Sequence, residues 1–436
     1  MHLIETKAKD GLRFWQTSLL IAASILAGIG MWGYFDGVAV DAQEAAAAAQ
    51  NIPRGNLSDL YPRWLGTREF LLHGRDPYSA EVTAEIQKGV YGVAIDSRKP
   101  GNPTDEQRFA YPLYVVFLLA PTTNLPFPSV QRIYLIVAAV LSVASVWFWL
   151  CFFGESRPGT PFILGSLLSL GSFPVVQALH LNQLSLIVWG LIAGAVAAVS
   201  AGVLWAAGIL LALAMIKPQA AFVTAGWLLL WAASDWRKRR ALLVSFTAMM
   251  GALLAGAEFL MPGWLWKWRD AVLAYMRYIP GQQPQVQFIF GKYVGAVLAC
   301  ALVAGLGVLC WRTRRDSVSA DRFLLILPLI MATDLALTPL WKGYDQIFLM
   351  PALLLGFRWR DEYSRLKPFG RAVVVFTVFV LAWPWVSATI LYMMYRMSNV
   401  AQSLVVAPVY LFPFAPVATL ASLILIARER LSRAAS

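Results

Sequence analysis

Apolar residues fall in long runs separated by short polar or basic connections. Crossing a bilayer takes about 20 apolar residues, and much of the chain meets or approaches that length. The first run, Trp15–Tyr34, follows Lys7, Lys9 and Arg13 and reads as a retained signal anchor with its N-terminus in the cytoplasm. Ala45–Ala49 reads as its helical extension, with Asn51–Gly55 as the stop. A polar stretch from about 35 to 108 comes next, then apolar runs near 129–153, 161–179, 183–200, 202–216, 219–234, 241–261, 290–311, 323–340, 345–357, 372–395 and 403–427. Tyr111–Pro121 is too short to span and is bracketed by prolines, which suits an interfacial or re-entrant helix. The pattern predicts an all-α polytopic membrane protein of about twelve transmembrane helices. Residues 1–436 form one integral membrane domain, and 35–128 form a long first outer loop carrying juxtamembrane helices.

Composition agrees: 59% of the 436 residues are hydrophobic and 14% charged, with a mean hydropathy of +0.61. A soluble domain carries roughly a quarter charged residues, so a soluble multidomain enzyme and a disordered chain are excluded. The net charge of +12 has no zinc-finger spacing, helix-turn-helix pattern or arginine-rich arm beside it, so nucleic acid is not the expected partner. It reads instead through orientation. With the N-terminus inside and alternating spans, about twenty Lys and Arg lie in inner loops against about eight in short outer loops, as the positive-inside rule expects. Asp235–Arg240 and Arg312–Arg315 pin that register. The expectation is a multi-pass protein of the plasma (inner) membrane with both termini cytoplasmic. Three His, and three Cys without a CxxC pair, argue against a metal centre or disulfide framework, and no metal or cofactor is expected.

The polar clusters then share the outer face, where no nucleotide is available and a donor must come from lipid. Asn56 or Ser58 can cap a helix starting near Asp59, with Leu60, Trp64, Arg68, Leu71 and Leu72 on one face. Asp59 at the start of that helix is either a cap or an ionised general base at the lipid boundary. In His73-Gly-Arg-Asp-Pro-Tyr78, Gly74 stops the helix and Asp76 either caps the turn or, with Tyr78, meets substrate. Tyr111 is either an interfacial anchor or a substrate contact. Asn182 and Gln183 either bind sugar hydroxyls or satisfy open helix ends. Lys217 is a cation in a membrane hairpin and needs a partner: a lipid phosphate, the headgroups, Glu258 or Asp334. Lys342, Tyr344 and Asp345 form either a site or an interfacial belt. Gly190 and Gly194 read as helix packing.

In order, these residues resemble glycosyltransferase family 87. The matching elements are Asp59-Leu60 with Gly66, Gly74-Arg-Asp-Pro-Tyr78, Tyr111-Pro112, Gln183-x-Ser185, Lys217-Pro218, and Thr338-Pro339 through Tyr344-Asp345. Leu113 stands where the family usually has a second proline, Asn182 where a Gly is expected, and the turn before Asp345 has no His. The resemblance implies a GT-C fold and transfer of a sugar, typically mannose, from a polyprenyl-phosphate carrier to a lipid or glycan acceptor. It implies Asp59 as the catalytic base and Lys217 near the donor phosphate. A phosphate leaves without general-acid help, so one carboxylate plus cations suffices for a single inverting displacement. Lys217, Arg63, Arg68 and Lys342 are the cations available. The competing class is a transporter or lipid flippase, which needs polar residues at mid-membrane depth in several helices.

Overall fold

Helix follows helix through the computed structural model, which describes residues 2–49, 58–95, 106–155, 159–277, 283–338, 343–397 and 402–435. α1 (His2–Gly33) runs through a π-helical turn, Tyr34–Ala39, into α2 (Val40–Ala49), so the Ala-rich tract does extend the first helix. Its expected stop at 51–55 lies outside the described residues. Two short helices follow, α3 (Tyr61–His73) and α4 (Ala80–Tyr91), then the five-residue α5 (Val115–Leu119). The bundle continues with α6 (Phe127–Phe152), α7 (Gly159–Leu170), α8 (Phe173–His180), α9 (Ser185–Ser200), α10 (Leu204–Ala214), α11 (Pro218–Ala233) and α12 (Trp236–Leu260). Then come α13 (Trp264–Arg277), α14 (Gln285–Phe290), α15 (Lys292–Thr313), α16 (Asp321–Leu337), α17 (Met350–Arg358), α18 (Pro368–Met397) and α19 (Phe414–Ala435).

Among the described residues six helices are long and apolar enough to cross a bilayer, or seven if α7 and α8, bent by 52°, form one span. The other apolar runs make shorter helices, and the reason is visible in them. α9 and α11 have 16 residues each, about 24 Å of helix against a hydrocarbon core of about 30 Å. α16 is buried on every side from Phe323 to Thr333. Hydropathy cannot distinguish a helix wrapped by protein from one wrapped by lipid. In Tyr111–Pro121 the helix is the short Val115–Leu119, with Leu113, Val115 and Val116 fully buried and Phe117 and Leu118 exposed.

The α7–α8 break shows how the bundle tolerates a bend. Ser172 caps α8 through the Val175 amide, and the carbonyls freed nearby are taken by indoles of other helices. Trp32 Nε1 donates to Leu170 at 3.1 Å and Trp385 Nε1 to Gly171 at 2.7 Å. A Cβ on Gly171 would sit 2.7 Å from the Gly28 Cα. Gly171→Ala therefore forces two backbones apart and is expected to cost about 1–3 kcal/mol. Thermal unfolding of the purified variant in detergent measures it.

The polar side chains gather at two opposite ends of the helices. At one end Glu155 pairs with Arg358, Arg430 with Asp321, and both Arg430 and Arg433 with the buried Glu362. Arg239 there donates to the carbonyls of Trp231 and Arg314. Asp59, Gln183, Lys217 and Asp345 gather at the other end. α6, α11 and α16 each run from one set to the other.

Candidate active site

Asp59 is placed by a turn, not by a helix end. α3 begins two residues after it, and the Ser58 hydroxyl accepts from the Leu60 amide at 3.2 Å. The Asp59 amide donates to the Leu181 carbonyl at 2.7 Å. Ser58 in turn donates to Asn182 Oδ1 at 2.8 Å. The expected helix does start near Asp59, two residues on at Tyr61, with Leu60 at its cap position, while Ser58 ties the segment to the α8–α9 turn and Asn56 lies outside the described residues. The expected apolar stripe is split. Leu60 and Trp64 are buried, but Leu71 and Leu72 are exposed.

The α8–α9 turn is the anchor of the site. Asn182 has φ of 50°, a left-handed conformation that Asn tolerates better than most side chains. Its amide is spent on structure: Oδ1 accepts from Ser58 and Gln131, and Nδ2 donates to Leu179 at 3.1 Å. Asn182 thus clamps the Asp59 segment and α6 to the α8–α9 turn. Gln183 differs. Its Nε2 donates to the Asp59 carboxylate, the same side chain hydrogen-bonds Tyr344, and its carbonyl accepts from Tyr134. Gln183 is 3% exposed, so this orientation is fixed by packing.

Arg63 lies one turn into α3, donates to the Asp59 carbonyl and rests 4.6 Å above the Tyr111 ring. Burial alone would lower its pKa, but Tyr111 and the Asp59 charge carry it above the ordinary value. Its Nε is buried without a hydrogen-bond partner among the described residues. Tyr275 of α13 and Tyr344 also face this guanidinium. The Arg63 guanidinium is thus bonded to the Asp59 backbone carbonyl, within the field of the Asp59 charge, and its Nε has no partner among the described residues.

Lys217 has a different fate from the one expected. It is 2% exposed and its ammonium donates to Asp345 Oδ1 at 2.9 Å and to the Ser185 hydroxyl, with the Tyr344 ring 4.9 Å away. Ser185 donates to the same Asp345 oxygen at 2.7 Å. The partner of Lys217 is therefore Asp345, not Glu258 or Asp334. Glu258 is exposed and accepts from the Gly263 amide at 2.8 Å. Tyr114 holds the Lys217 turn in place by donating to Met215 at 2.7 Å.

Asp76, Tyr78 and Arg68 lie outside this cluster. Asp76 caps its turn through the Tyr78 amide at 2.9 Å and pairs with Lys267 of α13 at 2.7 Å. Tyr78 donates to the Tyr111 carbonyl at 2.8 Å and packs edge-on against Phe109. Burial, then Asp76, raises its pKa, so it stays a neutral donor that fixes Tyr111. Arg68 stacks on Trp64 with the guanidinium 5.4 Å from the ring, on the side of α3 that faces Tyr61. Lys342 lies outside the described residues. Two contributors carried no sequence signal of their own, Tyr134 and Tyr275, which are ordinary residues of apolar or amphipathic helices until the chain brings them together, whereas Ser185 was marked by the Gln183-x-Ser185 element.

Residues 109–339 match glycosyltransferase family 87. No curated protein matches the chain significantly.

Proposed function

The chain belongs to glycosyltransferase family 87, and from that premise we propose that Asp59 is the general base of a membrane sugar transfer. The donor is a polyprenyl-phosphate-linked sugar, mannose by resemblance to the family, and the acceptor is a hydroxyl of a lipid or glycan. The observation that carries this reading is the Asp59 carboxylate held by Gln183, with the Arg63 guanidinium on the Asp59 backbone carbonyl. The acceptor oxygen attacks the anomeric carbon as the bond to the phosphate oxygen breaks, and the acceptor proton passes to Asp59. The sugar carbon inverts. Arg63 neutralises the departing polyprenyl phosphate through its unused Nε–H and its fork. Lys217 and Asp345 act one layer back: their pair supports Tyr344, which meets Gln183.

The reaction is proposed for the non-cytoplasmic face, in a plasma-membrane protein with both termini inside. The two polar ends support that assignment. The arginine-rich connections expected inside meet one another, and the residues expected outside meet at the opposite end. Purified protein in detergent, given a synthetic polyprenyl-phosphate mannose and a membrane lipid extract, is expected to make a labelled glycolipid. A protein that only moves its ligand across a bilayer makes none.

Gln183→Glu places a second carboxylate against Asp59. Like charge favours protonation, so the pKa of the base rises and the acidic limb of the pH–rate profile moves to higher pH. The pH dependence of kcat/KM checks this, and an unmoved limb would detach Gln183 from the base.

A further inference from the structure

The arginine-rich end of the bundle has two unlike sectors. In one, carboxylates and cations balance: Glu155 takes Arg358, Asp321 takes Arg430, and Glu362 takes Arg365, Arg430 and Arg433. In the other, residues 235–240 and 311–316 carry seven Lys or Arg against Asp235 and Asp316. Asp235 lies 3.7 Å from Lys238, and Asp316 lies 3.3 Å from Arg322. Arg237, Arg240, Arg312 and Arg315 are exposed and have no carboxylate partner among the described residues.

The fold ties the two basic segments into one unit. The Arg239 guanidinium lies 3.9 Å from the centre of the Trp231 ring and donates to the carbonyls of Trp231 at 2.8 Å and Arg314 at 3.2 Å. Trp231 Nε1 donates to the Asp316 carbonyl at 3.0 Å, and the Ser234 hydroxyl donates to the Arg314 carbonyl. Trp236 and Trp311 are 54% and 58% exposed, and Arg314 stacks on Trp311 at 3.7 Å. Trp favours the membrane–water boundary. The spans attached to this unit, α12 and α15, are the barest of the six: 17% and 6% of their apolar windows are buried, against 28–50% in the others.

We propose that this unit binds an anionic phospholipid of the leaflet at that end, with its phosphate on the four unpaired arginines and its acyl chains along α12 and α15. Guanidinium forks match phosphate oxygens. Cations held together repel one another, and a lipid phosphate removes that repulsion. The bare sides of the two spans receive chains, which an acidic protein or a free phosphate lacks. The lipid lies at the opposite end from Asp59, and its binding does not depend on the transferase reading.

The test titrates the full chain, stripped of lipid in neutral detergent, with phosphatidylglycerol and with phosphatidylcholine of the same chains. Native mass spectrometry counts the lipid-bound fraction. Phosphatidylglycerol is expected to bind at least about tenfold more tightly, since each cation near a charged headgroup contributes about fivefold in affinity. Arg237→Gln, Arg240→Gln, Arg312→Gln and Arg315→Gln together are expected to weaken it about a hundredfold and to leave phosphatidylcholine unchanged. Lys at the same four positions is expected to keep most of the binding. Lys88→Gln, Arg132→Gln, Lys292→Gln and Arg396→Gln remove four exposed cations of other segments and are expected to change nothing. Equal affinity for the two lipids, an equal loss in that control, or displacement of the lipid by equimolar poly-glutamate or inorganic phosphate each overturns the proposal. If the quadruple variant is not monodisperse, the Arg237/Arg240 and Arg312/Arg315 pairs are changed separately, each with an expected loss of about tenfold.

Discussion

Asp59→Asn is expected to lower sugar transfer by about 10²–10⁴, the usual value of general-base assistance, with the fold unchanged. The amide keeps the size of the carboxylate, so the Asp59 amide bond to Leu181 and the α8–α9 turn remain. It cannot take a proton. The loss should fall on kcat more than on KM, because a base acts on the transition state and contributes little to holding the substrate. Rates from the purified variant with a fixed donor, alongside its melting temperature, decide the matter. Turnover near that of the unchanged protein would take the base assignment away from Asp59 and would leave Arg63 without a reacting partner.

Lys217→Met is expected to destabilise the protein by about 3–5 kcal/mol, because it strands a buried carboxylate. Asp345 is 6% exposed and holds no other cation among the described residues, so only the Ser185 hydroxyl remains on it. Asp345→Asn added to Lys217→Met should recover most of that loss, since a pair removed together leaves no stranded charge. Unfolding in denaturant of the two single variants and the double variant gives the coupling directly. Had Lys217 served the donor phosphate, the single variant would raise the donor KM and unfold normally. On the proposed reading, Arg63→Gln is the substitution expected to raise the donor KM instead.

The helical, membrane-borne character of the chain was legible in its apolar runs, because hydropathy and charge are local and additive along a sequence. Several residues singled out in the sequence also meet in space: Asp59 with Gln183, Arg63 with Tyr111, and Tyr344 with Gln183 and beside the Lys217–Asp345 pair. Their roles were not legible. Asp76 and Asn182 look as chemical as Asp59 in the sequence, and in the fold Asp76 caps a turn and Asn182 clamps the α8–α9 turn. Of the twelve or so spans expected, six or seven helices are long and apolar enough among the described residues, and α16 is apolar where protein surrounds it.

The amino-acid order by itself determined that this protein is a bundle of apolar helices with its basic connections on one side and its polar motifs on the other. Tertiary structure alone decided which cation is tied to a buried carboxylate and which keeps a donor without a partner among the described residues. Asp345 reaches Lys217 across 128 residues and Gln183 reaches Asp59 across 124. A buried charge takes whichever opposite charge the fold brings within a few ångströms, and no local pattern encodes a contact made at that separation.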